Sequence, residues 1–196
     1  MYATHRVTLA VFATLATMGC GTSQGGTTQP MVNELDQYFV GTQVIRLPDG
    51  SERAGGSVVA HHERRPNERT VMEEVVIRDT NGAVESRAML LEIDASDSHF
   101  TVRPIEGGDV AGEGDFTGEP WNWTARHIQT QLADGTMVVT DDVLSATDLS
   151  SEARVVGADG TTAMVIRQVL TRVSRERYEQ ERDAIQIREA AGQDRP

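Results

Sequence analysis

Between residues 39 and 173 the apolar positions fall into ten short runs rich in Val, Ile and Thr, separated by residues that favour turns. Four of the separators are Asp49-Gly50, Asn81-Gly82, Asp134-Gly135 and Asp159-Gly160, pairs that readily supply the positive φ of tight hairpins. Arg65-Pro66-Asn67-Glu68, Asp94-Ala95-Ser96-Asp97-Ser98 and Glu106-Gly107-Gly108-Asp109 read as further turns. Strands are therefore expected over 39–47, 53–64, 69–79, 83–93, 98–105, 110–117, 121–132, 136–147, 152–157 and 161–173. No long helix separates them, which excludes parallel crossovers. Consecutive hairpins make a meander, and about ten strands exceed what a flat sheet usually carries. The pattern predicts an all-β, antiparallel up-and-down meander closing into a barrel of about eight to ten strands.

Both flanks change period. Over residues 31–38, Met31, Leu35 and Tyr38 share one face of a short predicted helix. Residues 174–192 read as a second helix, with Ser174 as N-cap and Gly192 as stop. Its apolar stripe is thin, comprising Tyr178, Ile185 and Ala184, so it packs lightly on the barrel or projects from it. Residues 193–196 read as a loose tail.

The first twenty residues do not continue the strand pattern. A short start carrying Arg6 leads into the uncharged apolar run Val7 to Met18, too short to span a bilayer and suited to a signal-peptide core. The run ends in Thr17-Met18-Gly19-Cys20, followed by the small polar segment Gly21 to Pro30. This order resembles the bacterial lipoprotein signal, in which a small residue precedes a Cys that is lipidated and becomes the first residue. Gly19 and Cys20 match it, and Thr17 departs from the usual Leu. The resemblance implies a signal peptide over 1–19, a lipidated Cys20 with a tether over 20–30, a barrel domain over 31–173, and a membrane anchor made by two or three acyl chains. With Gly21 rather than Asp after the Cys, it further implies the outer membrane, facing the periplasm.

Charge narrows the partners. The chain has 196 residues and a formal net charge of −12, which argues against nucleic acid and against electrostatic docking on anionic lipid. All 18 basic residues are Arg, so lysine chemistry is excluded, and the single Cys excludes an intramolecular disulfide and any multi-Cys metal site.

Few side chains suggest chemistry. In a chain with 5% aromatics, Trp121 and Trp123 stand two apart on a predicted strand and so share a face. They are either a stacking platform at a barrel mouth or a core plug closing one end. His127 lies on the same predicted face, so Trp121, Trp123 and His127 are the candidate ligand lining. The strands over 121–132 and 161–173 do not alternate cleanly, which suits a barrel holding some polar groups inside. The adjacent pairs His61-His62, Glu73-Glu74 and Asp141-Asp142 each split between faces. His99 and His127 stand alone, with no metal-ligand spacing, and no metal site is expected. Glu113 and Asp115 share a face and are the least unlikely acid–base pair, although Gly112 and Gly114 beside them suggest a bend or bulge. No nucleophile motif or phosphate loop is present, no catalytic residue is assigned, and no cofactor is implied.

The order of elements resembles the lipocalin and fatty-acid-binding (calycin) superfamily, with a lead-in helix, an antiparallel meander and a C-terminal helix. The Gly-x-Trp signature of lipocalins is absent at Gly41-Thr42-Gln43. The resemblance implies a small apolar or amphipathic ligand inside the barrel. The alternative is an accessory lipoprotein with a filled barrel that acts through envelope protein partners, and the direction of the Trp side chains separates the two.

Overall fold

The computed structural model describes residues 36–105, 112–119, 122–132 and 134–193. Ten strands run β1 (Asp36–Arg46), β2 (Glu52–Arg65), β3 (Thr70–Arg78), β4 (Val84–Ile93), β5 (His99–Pro104), β6 (Gly112–Glu119), β7 (Asn122–Gln131), β8 (Met137–Leu144), β9 (Asp148–Val156) and β10 (Thr162–Val173), followed by α1 (Arg175–Gln193). Each strand pairs antiparallel with its sequence neighbour, and β1 pairs with β10, so the meander closes into a ten-stranded barrel. The closing register sets Tyr38 opposite Val173 and Arg46 opposite Val165.

The hairpins form as the turn pairs require, with one refinement. At Asp49-Gly50 the Gly50 N–H bonds the Leu47 carbonyl and the Leu47 N–H bonds the Ser51 carbonyl, while Gly50 sits at φ +82°. Residues 79–83, 132–136 and 157–161 repeat this scheme, with Gly82, Gly135 and Gly160 between φ +80° and +89°. These are three-residue loops with a single left-handed residue, not two-residue turns. The Asp49, Asp134 and Asp159 carboxylates each accept the N–H two residues on at 2.9 Å, and Asp79 accepts that of Asn81 at 2.8 Å. All four loops lie at one rim.

The opposite rim carries the start of β1, the end of β10 and the loops β2–β3, β4–β5 and β8–β9. There, Pro66–Glu68 forms one 3-10 turn. Arg69 and Asp97, both in the left-handed region, join two loops through the Arg69 guanidinium, which also bonds the Asp94 carbonyl. Between β8 and β9, the Ser145 hydroxyl accepts the Thr147 and Asp148 N–H groups at 3.0 and 2.6 Å. This side-chain turn contains no Gly or Pro, which is why the sequence pattern ran β8 on to residue 147 and started β9 late.

The lead-in helix over 31–38 is not found where it can be tested: residues 36–38 belong to β1, and residues 31–35 lie outside those described. The strand wins at 36–38 because alternation suits both faces, with Gln37 buried inside and Tyr38 stacked outside on His61 at 4.6 Å. The C-terminal helix does form, and its Ser174 hydroxyl accepts the Arg177 N–H at 3.3 Å. It lies on the outer face of β1 to β4 with Tyr178 and Ile185 buried, and with ion pairs Arg175–Glu179 and Arg177–Glu181 on its free side.

The main core fills the barrel with inward residues from nearly every strand, among them Phe39, Val58, Leu91, Phe100, Phe116, Trp123, Leu149 and Leu170. A smaller cluster of Val138, Ala153, Val155 and Ile166 lies between β8, β9 and β10. β6 is regular where the sequence suggested a bend. Gly114 faces inward, and a Cβ there would stand 2.4 Å from the His127 carbonyl oxygen and 2.6 Å from the Phe100 ring, which itself stacks on Phe116 at 5.2 Å.

Candidate functional site

Alternation along β2, β3, β7 and β8 brings five ionisable side chains inside: His62, Arg64, Glu73, Arg126 and Asp142. Each adjacent pair splits as expected: His62, Glu73 and Asp142 point inward, and His61, Glu74 and Asp141 outward. Arg126 joins the inward set from β7. Its Nη1 and Nη2 donate to Glu73 Oε1 and Oε2 at 2.5 and 2.9 Å, and its Nε donates to Asp142 Oδ2 at 2.8 Å. The three side chains are at most 2% exposed. The guanidinium carbon also stands 4.9 Å from the Trp123 ring centre, a cation–π contact in a dry environment.

The electrostatics of this belt are set by burial and by one cation between two anions. Burial pushes the Glu73 carboxyl up, but the Arg126 guanidinium, with His62 and Arg64 behind it, outweighs that and holds it below its ordinary value. Burial disfavours the Arg126 charge, and the Glu73 and Asp142 carboxylates reverse the balance, raising its pKa. Burial pulls His62 down to about 4, against the opposing pull of Glu73. At neutral pH His62 is therefore an uncharged ring 3.6 Å from Glu73, not an ion-pair partner, and it packs against Phe39 at 5.2 Å. A second polar contact crosses the β1–β10 seam, where Gln168 Nε2 donates to Gln43 Oε1 at 3.1 Å and Gln43 Nε2 donates to the Gly55 carbonyl at 2.9 Å.

Of the three residues expected to line a site, the two that are described, Trp123 and His127, lie on opposite faces. Trp123 is 4% exposed and belongs to the main core. His127 lies on the outer face, where its Nδ1 is 2.7 Å from Asp141 Oδ1 and its Nε2 takes a contact of 3.0 Å from the Gln129 amide. Trp121 lies outside the described residues. A bulge parts Trp123 from His127: Thr117 pairs with Ala125 but Gly118 pairs with Trp123, so Thr124 is the extra residue and the alternation reverses across it. Gly118 takes φ +101° at this point, and the Thr124 hydroxyl donates to the Thr117 carbonyl at 3.3 Å.

Outside, β5 to β8 carry a row in register: His99 opposite Asp115, Asp115 opposite His127, and His127 opposite Asp141. His99 Nδ1 is 3.0 Å from Asp115 Oδ1, and Arg154 closes on Asp141 from β9. Glu113 and Asp115 are exposed on this outer face, away from the buried belt. Among the described residues, no group of three or more His, Cys, Asp or Glu is placed to hold a metal ion. Two surface hollows of about 550 and 370 Å³ are lined mainly by outward residues, the first by Thr101, Arg103, Glu113, Gln129 and Gln131, the second by Asp141, Val143, Glu152, Arg167 and Val169.

Chemically, the belt is closed. Arg126 already meets two carboxylates and cannot also take an anion without losing one. Glu73 is held ionised, so it is not an acid at neutral pH. Sequence reasoning found the split of the three pairs but not Arg126, although two inward carboxylates demand an inward cation and Arg126 stood among Thr124, Ile128 and Leu132 on one predicted face. No family model matches the chain, and no curated protein matches it.

Proposed function

We propose that the protein is a lipid-anchored component of the bacterial cell envelope, tethered through Cys20 to the outer membrane, whose calycin-like barrel is a filled scaffold that acts through protein partners. One observation carries the choice between a scaffold and a ligand carrier: Trp123, a candidate lining residue, lies in the packed core with the Arg126 guanidinium over its ring. An apolar ligand at that level would have to displace core side chains beside a buried ion triad, at a cost of several kcal/mol. The acidic surface and the exposed side of α1 supply the contacts.

The test uses the full chain, expressed in a bacterial host, solubilised in mild detergent, and then denatured and extracted with organic solvent for mass spectrometry. The anchor is covalent and stays with the protein, whereas solvent carries off barrel-bound lipid together with lipid of the micelle, so the extract is compared with that of the Cys20→Ala chain purified without detergent. The expected extract contains no stoichiometric lipid or pigment. A lipid recovered at one per barrel would restore the ligand-carrier reading and overturn this one. Separately, Cys20→Ala should leave the membrane fraction, and retention there would refute the anchor.

A further inference from the structure

The outer face of β1 to β4 is unusually apolar for the outside of a barrel. Val59 and Val76 are 1% and 0% exposed although both point outward, and Tyr38, Val40, Val84 and Val173 are partly buried around them. α1 covers this face with two apolar side chains, Tyr178 and Ile185. Tyr178 sits 5.2 Å from the Tyr38 ring and 5.9 Å from His61. Between the two apolar seats stands Glu74, which accepts from Arg182 at 2.7 Å and from the Tyr178 hydroxyl at 3.4 Å. The groove is thus built for a helix bearing an aromatic residue, an arginine four positions on and an aliphatic residue seven positions on, which is one stripe of a helix.

α1 is also separable from the barrel. Among the described residues none of its main-chain groups bonds to a strand, and its own first turn is closed by the Tyr178 N–H on the Ser174 carbonyl. A single residue, Ser174, joins it to β10, and the β10 ladder to β1 is complete at Val173 without it. Among the described side chains, releasing α1 would unseat Tyr178 and Ile185 and break the Arg182–Glu74 ion pair and the Tyr178–Glu74 hydrogen bond, but no strand pairing.

We propose that this groove is a docking site for a basic amphipathic helix of a partner protein, and that α1 is its displaceable resident. The groove rim selects the charge of the guest: the outward carboxylate of Glu74, with Asp36 beside the Tyr38 hydroxyl, favours arginine on the incoming helix, as the resident helix itself provides with Arg182. The inference rests on the reading that the protein works through partners.

Hydrogen exchange on the full chain in detergent is the first measurement. The amides of residues 179–186 should exchange at least 100-fold faster than those of β1 and β10, as a unit and without barrel opening. Arg182→Glu should raise that rate at least tenfold with the strand amides unchanged, and Glu74→Arg combined with Arg182→Glu should restore it. Exchange of α1 only together with the barrel would overturn the proposal. The second measurement uses a fluorescein-labelled peptide of residues 174–193 and the Tyr178→Ala/Ile185→Ala chain, whose resident helix has lost both anchors. The peptide should bind one to one, and a peptide carrying the same two alanines should bind at least tenfold more weakly. Failure of the first peptide to bind the freed groove would overturn the docking site even if α1 opens. A stoichiometric lipid in the extract described above would sink the scaffold reading and leave both of these results standing, so the two failures are distinguishable.

Discussion

Replacing Arg126 by methionine keeps the length of the side chain and removes a cation that bonds both Glu73 and Asp142 in the barrel interior. Three charge-assisted contacts go, and two carboxylates at most 2% exposed are left facing each other. Breaking a buried pair by removing one partner costs about 3–5 kcal/mol. Protonation limits the penalty. Holding a carboxyl neutral at pH 7, against ordinary values of 4.5 for Glu and 3.8 for Asp, costs about 3 kcal/mol for Glu73 and about 4 kcal/mol for Asp142. Both together approach the whole stability of a domain this size, about 5–15 kcal/mol. At pH 5 the same two costs fall to about 1 and about 2 kcal/mol. The sign of the pH dependence therefore reverses. In the native chain the Glu73 pKa is depressed, so its contribution is present above the unfolded value and lost as pH falls through the folded one. In Arg126→Met the carboxyl pKa values are raised, so stability is lost as pH rises. Urea unfolding followed by circular dichroism at pH 7 and pH 5 measures this. The native midpoint should fall by pH 5 through the charging of unfolded His62, while the Glu73 contribution holds until the pH drops below about 4.5, and the variant, marginal or unfolded at pH 7, should gain at pH 5. A variant within about 0.5 kcal/mol of native at pH 7, or one that loses stability in parallel with it, would refute the buried triad. Glu73→Leu/Arg126→Met/Asp142→Leu should recover most of the loss, because a well-packed apolar replacement of a buried triad is often neutral.

His62 gives an independent pH signature. Facing it are Glu73, Arg126, Arg64 and its neighbour His61, and with its folded pKa at about 4 against 6.5 unfolded, stability is full above pH 6.5 and falls by about 3 kcal/mol as pH drops to 4. His62→Leu should flatten that part of the curve, and an unchanged slope in a urea series from pH 7 to 4 would place the titration elsewhere. Gly114→Val should destabilise by more than 3 kcal/mol, because its Cβ would meet a main-chain oxygen at 2.4 Å. The near-ultraviolet signal of the stacked Phe100 and Phe116 rings should weaken with it, and a thermal midpoint within a degree or two of native would contradict the close approach.

The ten strands were legible because period-2 alternation and the Asp-Gly and Asn-Gly pairs are local signals. The turn at Ser145–Asp148 was not, because a hydroxyl does there what glycine does elsewhere. Closure of the barrel was inferred from strand number, and the β1–β10 register that achieves it pairs residues more than a hundred apart, which no local pattern encodes. Trp123 and His127 part for a similar reason. Counting by twos from Trp123 puts His127 on the same face, and one extra residue at Thr124 sends them to opposite faces. The pairs His61-His62, Glu73-Glu74 and Asp141-Asp142 were read as split between faces, but that two of the inward members would share Arg126 depends on β3, β7 and β8 meeting across the barrel interior.

The seam between β1 and β10 has a consequence for how the molecule is made. Every other strand pairing is between sequence neighbours and can form as soon as its hairpin exists, whereas Tyr38 waits for Val173. Loop closure over that span carries an entropy cost that no earlier contact offsets, so the growing chain accumulates hairpins with an open edge and an uncovered interior. The two carboxylates of the interior belt sit on either side of Arg126 in chain order, which means that Glu73 emerges long before its cation. A chain assembled in this order stays unsealed until its last strand arrives, and it locks only when β10 meets β1.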